Sequence, residues 1–129
     1  MAFDFGMGKI GVAVGQTITM SATALTILKA RDGIPDWQQI GDLIKEWQPS
    51  QLVVGLPLNM DGTESEMSRL AEKFSRKLHG RFNLPCSTMD ERLSSFEAAE
   101  YAEKDQLVDA IAAKLILETW LSQQPREQF

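Results

Sequence analysis

The first part of the chain has the apolar spacing of β-strands, in which hydrophobic residues alternate with polar ones or form short runs. Three strands are predicted, one ending within Met1–Gly6, a second at Ile10–Gly15 and a third at Thr23–Leu28. The glycine-containing turn Gly6–Lys9 joins the first two strands as a hairpin. The segment Arg31–Pro35 is predicted to be a loop because it combines Asp, Gly and Pro.

From Asp36 onward the apolar period becomes that of a helix. A helix is predicted to begin there and to stop before Pro49, with one apolar face formed by Trp37, Ile40, Leu43, Ile44 and Trp47. The run Leu52–Leu56 is continuously apolar, as expected of a parallel strand that is buried on both faces.

The rest of the chain is predicted to be mainly helical. Thr63 and Glu66 have the spacing of a capping box that starts a second helix, and Gly80 is expected to end it. The remaining predicted elements are a strand, a short helix and a long helix, namely Pro85–Met89, Ser94–Tyr101 and Leu107–Leu121. The long helix has a broad apolar face made of Val108, Ile111, Ala112, Leu115, Ile116 and Thr119.

The predicted order of elements is β-β-β-α-β-α-β-α-α. It indicates one α/β domain over residues 1–129, with a mixed five-stranded sheet and helices on both faces. Open α/β sheets bind ligands beyond the carboxyl ends of their strands. Asp4, the loop Leu56–Asp61 and the pair Asp90–Glu91 are therefore expected near one edge of the sheet.

Composition narrows the classes of function. A net charge of −5 and a pI of about 4.8 argue against a protein that coats nucleic acid through bulk charge alone. The single cysteine, Cys86, excludes an internal disulfide and a multi-cysteine zinc site. The N-terminal residues lack the pattern of a signal peptide, so a cytoplasmic protein is expected.

Three acidic residues are candidate metal ligands. Asp4 lies between Phe3 and Phe5, where a carboxylate is costly unless it is paired or bound to a metal. Glu91 follows a predicted strand, and Asp109 lies near the start of the last helix. Carboxylates that converge at one edge of the sheet suit Mg²⁺ or Mn²⁺, which prefer oxygen ligands and support phosphodiester hydrolysis.

Each acid also has a purely structural interpretation. Asp4 is able to accept hydrogen bonds from the turn that follows it, and Asp109 suits the positive end of a helix dipole. Asp90 or Glu91 is able to pair with Arg92 on the surface. Residue types alone do not decide between these interpretations, and it is the convergence of the acids that favours a metal site.

Basic residues suggest contacts with a phosphate backbone. Lys73, Arg76 and Lys77 are close in helical spacing, and Lys9 is the last residue of the first turn. The competing interpretation of the helical group is a solvated face whose basic residues favour the C-terminal end of the helix.

Several motifs together resemble the YqgF/RuvX family, bacterial proteins described both as Holliday junction resolvases and as pre-16S rRNA nucleases. The resemblance spans nearly the whole chain and rests on the segments 3–6, 10–13, 54–63, 90–94, 108–109 and 112–113. It implies an RNase H-like (RuvC-like) fold, a cytoplasmic location and a role in maturation of the 16S rRNA 5′ end. By motif match, Asp4, Glu91 and Asp109 occupy the metal-binding positions, with Asp90 a weaker candidate. Asn59 and Arg92 match polar positions that line the same cleft.

The preferred hypothesis is therefore a metal-dependent nuclease that acts on pre-16S rRNA. A nuclease for four-way DNA junctions and a non-catalytic module that binds RNA or a protein factor remain alternatives. An actin-like ATPase is disfavoured because 129 residues cannot supply the second domain that closes over a nucleotide. The segment Tyr101–Leu107 is shorter than the resemblance implies, which leaves substrate contacts beside Asp109 open.

Overall fold

The computed structural model describes residues 1–16, 19, 21–90 and 108–123, and for residues 108 and 109 the backbone alone. Its elements are, in chain order, β1 (Ala2–Asp4), β2 (Lys9–Gln16), β3 (Ser21–Arg31), β4 (Ile34–Pro35), α1 (Trp37–Trp47), β5 (Leu52–Leu56), α2 (Glu66–Phe82), β6 (Cys86–Asp90) and α3 (Val108–Ser122). The predicted helix at residues 94–101 lies outside the described residues, as do Glu91 and Arg92.

The described strands form one six-stranded sheet in the order β4-β3-β2-β1-β5-β6. Strands β1 to β4 pair as an antiparallel meander, and β5 and β6 add in parallel beyond β1. This confirms the predicted meander followed by crossovers, because parallel neighbours require a long connection such as α1 or α2. The carboxyl ends of β1, β5 and β6 therefore meet at one edge of the sheet, called here the carboxyl edge.

The sheet has one more strand than the five predicted, because Arg31–Pro35 is not simply a loop. Arg31 ends β3 and pairs with Ile34 of β4. Asp32 and Gly33 have positive φ angles of 54° and 78° and make a tight hairpin turn between the two strands. Pro35 is tolerated in β4 because this strand lies at the edge of the sheet.

The helix ends correct two predictions from the sequence. The N-cap of α2 is Ser65, whose hydroxyl accepts from the backbone of Ser68, whereas the Thr63 hydroxyl is engaged with Asp61 instead. The helix also runs past Gly80 to Phe82 and ends at Asn83, which adopts the left-handed conformation. The start of α1 is as predicted, since Asp36 accepts from the backbone of Gln38.

Helices cover both faces of the sheet, as predicted, and each face has its own core. The face under α1 and α2, called here the α2 face, is built from Met1, Phe3, Phe5, Ile10, Val12, Leu28, Ile40, Leu52, Val54, Ala71, Phe74 and Leu78. The opposite face, called the α3 face, is built from Ala2, Ala13, Val53, Met89, Ala113, Ile116, Leu117 and Leu121. Consecutive strand residues alternate between the two faces, and this alternation decides which side chains share a site.

The buried side of α3 differs from the predicted one, although Leu115 and Ile116 belong to both. Its buried residues are Ala110, Ala113, Leu115, Ile116, Leu117 and Leu121, whereas Ile111, Ala112 and Thr119 are only partly buried. The helix is apolar on nearly all sides, so spacing alone does not define its inward face. In α1, Trp47 is 47% exposed and contributes little to the predicted apolar face. Within the described parts, no helix is both long and apolar enough to cross a membrane.

Candidate active site

Asp4 is the last residue of β1 and lies at the carboxyl edge. It pairs with Gly11 of β2, while Phe3 pairs with Val54 of β5. One residue further in the same register, Gly55 of β5 comes level with Asp4. The residue directly opposite this half-buried carboxylate on β2 is therefore a glycine.

The side chain of Asp4 belongs to the α3 face. Its neighbour two residues earlier, Ala2, packs in the α3-face core, whereas Phe3 packs in the α2-face core. Because side chains alternate between the two faces along β1, Asp4 lies on the same face as Ala2. The carboxylate thus lies on the face that is covered by the helix that carries Asp109.

Asp109 lies in the first turn of α3. Further along this helix, a side-chain carbon of Leu117 comes within 3.0 Å of where a Cβ on Gly15 would lie. This contact places the second half of α3 against β2, the strand that pairs with β1.

The Asp90–Glu91 pair is described only in part. Asp90 ends β6 and pairs with Leu56, so it lies at the carboxyl edge. Leu56 packs against the α2-face core, and the pairing puts Asp90 on that face, opposite to Asp4. No group of three His, Cys, Asp or Glu side chains suited to a metal is found in the described part, which omits Glu91 and the side chain of Asp109.

The loop after β5, residues 57–65, is closed by its own hydrogen bonds. The Ser65 hydroxyl donates to the carbonyl of Pro57 at 2.6 Å, and the backbone N–H of Asn59 donates to the carbonyl of Thr63 at 2.9 Å. The Asn59 amide donates to the Thr63 hydroxyl at 3.1 Å, and Asp61 accepts from that hydroxyl at 2.6 Å. Asn59 thus helps to shape a fixed loop at the carboxyl edge, which adds to its predicted role in the cleft.

The basic group on α2 lies away from Asp4. Lys73 and Lys77 border a groove of about 120 Å³ lined by Phe5, Trp37 and the turn at residues 32–34, on the α2 face. Arg76 is exposed on the same helix. The structure therefore does not bring these residues together with Asp4, whose carboxylate lies on the other side of the sheet.

Lys9 is on the same face as Asp4, and the structure adds a residue that sequence reasoning missed. Lys9 pairs with Lys29 of β3, and the preceding pair of the ladder, Ile10 with Leu28, packs in the α2-face core. Both lysines therefore lie on the α3 face, and both are exposed. The alternation of β3, combined with the hairpin register, contains this information, but the register is not readable from either strand alone.

Comparison with known proteins identifies the family to which this chain belongs. Residues 1–123 match the family model described as "RuvX: Holliday junction resolvase". A relative from Azotobacter vinelandii is 55% identical over 97% of this chain and 94% of its own length. Relatives from Pseudomonas aeruginosa and Chromohalobacter salexigens are 53% and 58% identical, over 97% and 95% of this chain and 92% and 88% of their own lengths. All three carry the name "Putative pre-16S rRNA nuclease".

These similarities confirm three predictions from the sequence. The resemblance to the YqgF/RuvX family is correct, and so is the RNase H-like α/β class, with six strands in place of five. The enzyme class, a nuclease, is also confirmed by the family and by the name of the relatives. The roles of the individual site residues stay predictions.

Proposed function

This protein belongs to the RuvX family, and we propose that it is a divalent-metal-dependent nuclease of the cytoplasm that matures the 5′ end of pre-16S rRNA. The observation that carries the nuclease proposal is the half-buried carboxylate of Asp4 at the carboxyl edge, on the face of the sheet that α3 covers. The name shared by relatives more than 50% identical to this chain supports the choice of substrate.

The residues present fit a hard divalent cation. Asp4 would contribute carboxylate oxygens from β1, and Asp109 lies at the start of α3, the helix that covers the same face. We assign Mg²⁺ or Mn²⁺ to Asp4, Glu91 and Asp109, because such ions prefer oxygen ligands. Asp90 is the weaker candidate, because its pairing places it on the α2 face. A bound ion would polarise the phosphate and make water a stronger nucleophile at neutral pH.

The reaction is hydrolysis of a phosphodiester. The oxygen of a water molecule forms a bond to phosphorus while the bond from phosphorus to the leaving oxygen breaks, and the leaving oxygen gains a proton. No side chain becomes covalently attached. Asp4 holds its carboxylate at a fixed position because Phe3 and Phe5 on either side of it are anchored in the core of the opposite face.

Four-way DNA is the second candidate substrate, favoured by the description of the matching family. In either nuclease reaction, Asn59 is proposed to contact substrate at the carboxyl edge, and Arg92 is proposed as a further substrate contact. Lys73, Arg76 and Lys77 are proposed to contact more distant phosphates, because they lie on the far face of the sheet.

One cleavage experiment separates these candidates. Labelled RNA with the 5′ precursor region of 16S rRNA, and a labelled four-way DNA junction, are each incubated with protein and Mn²⁺. Parallel samples contain EDTA, the variant Asp4→Asn, or the control Asp32→Asn, which alters an exposed acid in a left-handed turn that asparagine also adopts.

We expect RNA cleavage by the wild type and by Asp32→Asn, and none with EDTA or with Asp4→Asn. Cleavage of the junction alone would favour DNA as the substrate. Cleavage by Asp4→Asn at the wild-type rate would refute the assigned site. Metal-independent RNA binding without any cleavage would support the binding module.

A further inference from the structure

Lys9 and Lys29 lie directly opposite each other on the antiparallel strands β2 and β3. Both are exposed, and both lie on the α3 face. Directly opposed residues in an antiparallel pair have Cβ atoms about 5 Å apart, so one small anion is able to contact both ammonium groups.

This pair is close to Asp4. Asp4 pairs with Gly11, and Lys9 is two residues from Gly11 on the same strand and the same face. Diagonal neighbours of this kind are about 7–8 Å apart at the backbone. Both lysine side chains are long enough to reach an anion that lies beside the carboxylate of Asp4.

The pair is unfavourable for folding. Like charges placed directly opposite each other across two strands destabilise a sheet. Lysines do protect exposed sheet edges from aggregation, which is an alternative explanation for Lys29 near the β4 edge. It does not explain Lys9, because β2 is an interior strand that pairs with β1 and β3.

We propose that Lys9 and Lys29 together bind one backbone phosphate of the substrate, next to the phosphate that is cleaved at Asp4. This inference rests on the proposed nuclease function. This lysine pair, called here the clamp, fixes the position of the nucleic-acid strand over the carboxylate of Asp4. The bound phosphate offsets the repulsion between the two ammonium groups. It also explains how a protein with a net charge of −5 holds a polyanion at this edge.

The test measures binding without turnover. A fluorescein-labelled single-stranded RNA from the 16S precursor is titrated into Asp4→Asn protein that also carries Lys9→Gln, Lys29→Gln or both, at several salt concentrations. Lys45→Gln, on the exposed side of α1, is the matched control. Each clamp variant is expected to weaken RNA binding about tenfold. The slope of the logarithm of the binding constant against the logarithm of salt concentration should fall in magnitude by about 0.7, as for one lost phosphate contact to a single strand.

Stability distinguishes the clamp from a structural role. Lys9→Gln and Lys29→Gln are expected to leave the melting temperature unchanged or higher, since each removes a repulsion, while binding falls. If both variants bind RNA with wild-type affinity and salt slope while the wild type still cleaves RNA, the clamp is refuted and the proposed nuclease function stands. Aggregation of Lys29→Gln with unchanged RNA affinity would also refute it and support edge protection. If the wild type neither binds nor cleaves RNA, the proposed function itself fails.

Discussion

Phe3 and Asp4 are consecutive residues of β1 that serve opposite faces of the sheet. The Phe3 ring meets the ring of Phe74 edge-on, with centroids 5.7 Å apart, in the core beneath α2. Asp4 lies half-buried on the α3 face, beside Gly11. One short strand therefore holds the proposed metal ligand in place through the packing of its neighbour.

Metal binding at Asp4 should be measurable as stability. A ligand that binds only the folded state at 100 times its Kd stabilises it by about 2.7 kcal/mol. We expect MnCl₂ to raise the melting temperature of the wild type, and Asp4→Asn to lose most of that rise. In EDTA, where no metal binds, the two proteins should differ much less in melting temperature than they do in MnCl₂. Scanning calorimetry with MnCl₂ or EDTA measures both effects, and an equal rise in the two proteins would contradict the assignment.

The turn between β3 and β4 gives a test of the fold. A Cβ on Gly33 would lie 2.8 Å from the Phe5 ring, and the φ angle of Gly33 is 78°. Gly33→Ala should therefore lower the free energy of unfolding by about 1–3 kcal/mol. Gly8→Ala is the control, because nothing lies within 4 Å of a Cβ at that position. Urea unfolding measures both variants, and an equal cost would contradict both the backbone strain and the clash with Phe5 expected at Gly33.

The sequence predicted most of the architecture because the periods of its elements differ clearly. The strand-then-helix change at Asp36 and the apolar run at Leu52–Leu56 both correspond to elements with nearly the predicted bounds. Helix ends were less predictable. Thr63 and Ser65 are both suitable caps, and the choice depends on hydrogen bonds to Asp61 and Pro57 that only the folded loop provides.

The sequence predicted that the candidate acids at strand ends lie at the carboxyl edge, but it did not predict which face of the sheet each of them occupies. Asp4 and Asp90 both end strands at the carboxyl edge, as expected, yet their pairing places them on opposite sides of the sheet. Which face a residue occupies depends on register, and a shift of one residue reverses it. For the same reason the sequence suggested Lys9 but not Lys29, which becomes its partner only through the hairpin ladder.

Cys86 should make stability depend on pH at the alkaline end. Burial raises the pKa of the Cys86 thiol above its ordinary value of 9.0, against the opposing effect of its hydrogen bond with Ser75. Above pH 9 the unfolded chain loses this proton while the folded protein keeps it, so the contribution to stability is complete below pH 9 and is lost as pH rises. The difference in free energy of unfolding between the wild type and Cys86→Ser should therefore shrink above pH 9. Urea unfolding from pH 7 to 10 measures it, and parallel curves would contradict the raised pKa.

Ser65 links the loop after β5 to the start of α2. Its hydroxyl donates to the carbonyl of Pro57 at 2.6 Å and accepts from the backbone of Ser68 at 3.0 Å. Ser65→Ala removes both the N-cap of α2 and the hydrogen bond to Pro57, so we expect a loss of about 1–2 kcal/mol in the free energy of unfolding. Amide hydrogens in the loop should also exchange faster, because the closure at Pro57 is gone.

The control for this prediction is Ser122→Ala, at the exposed end of α3, where the hydroxyl donates to the carbonyl of Thr119 at 2.6 Å. Loss of this surface hydrogen bond should change the free energy of unfolding by no more than about 0.5 kcal/mol. If both variants cost the same, the Ser65 hydroxyl acts only as an ordinary surface group. If Ser65→Ala is destabilised but its loop exchanges at the wild-type rate, the loop is held by the hydrogen bonds of Asn59 and Asp61 alone. Faster loop exchange with reduced RNA cleavage would instead show that closure of this loop positions the substrate at the carboxyl edge.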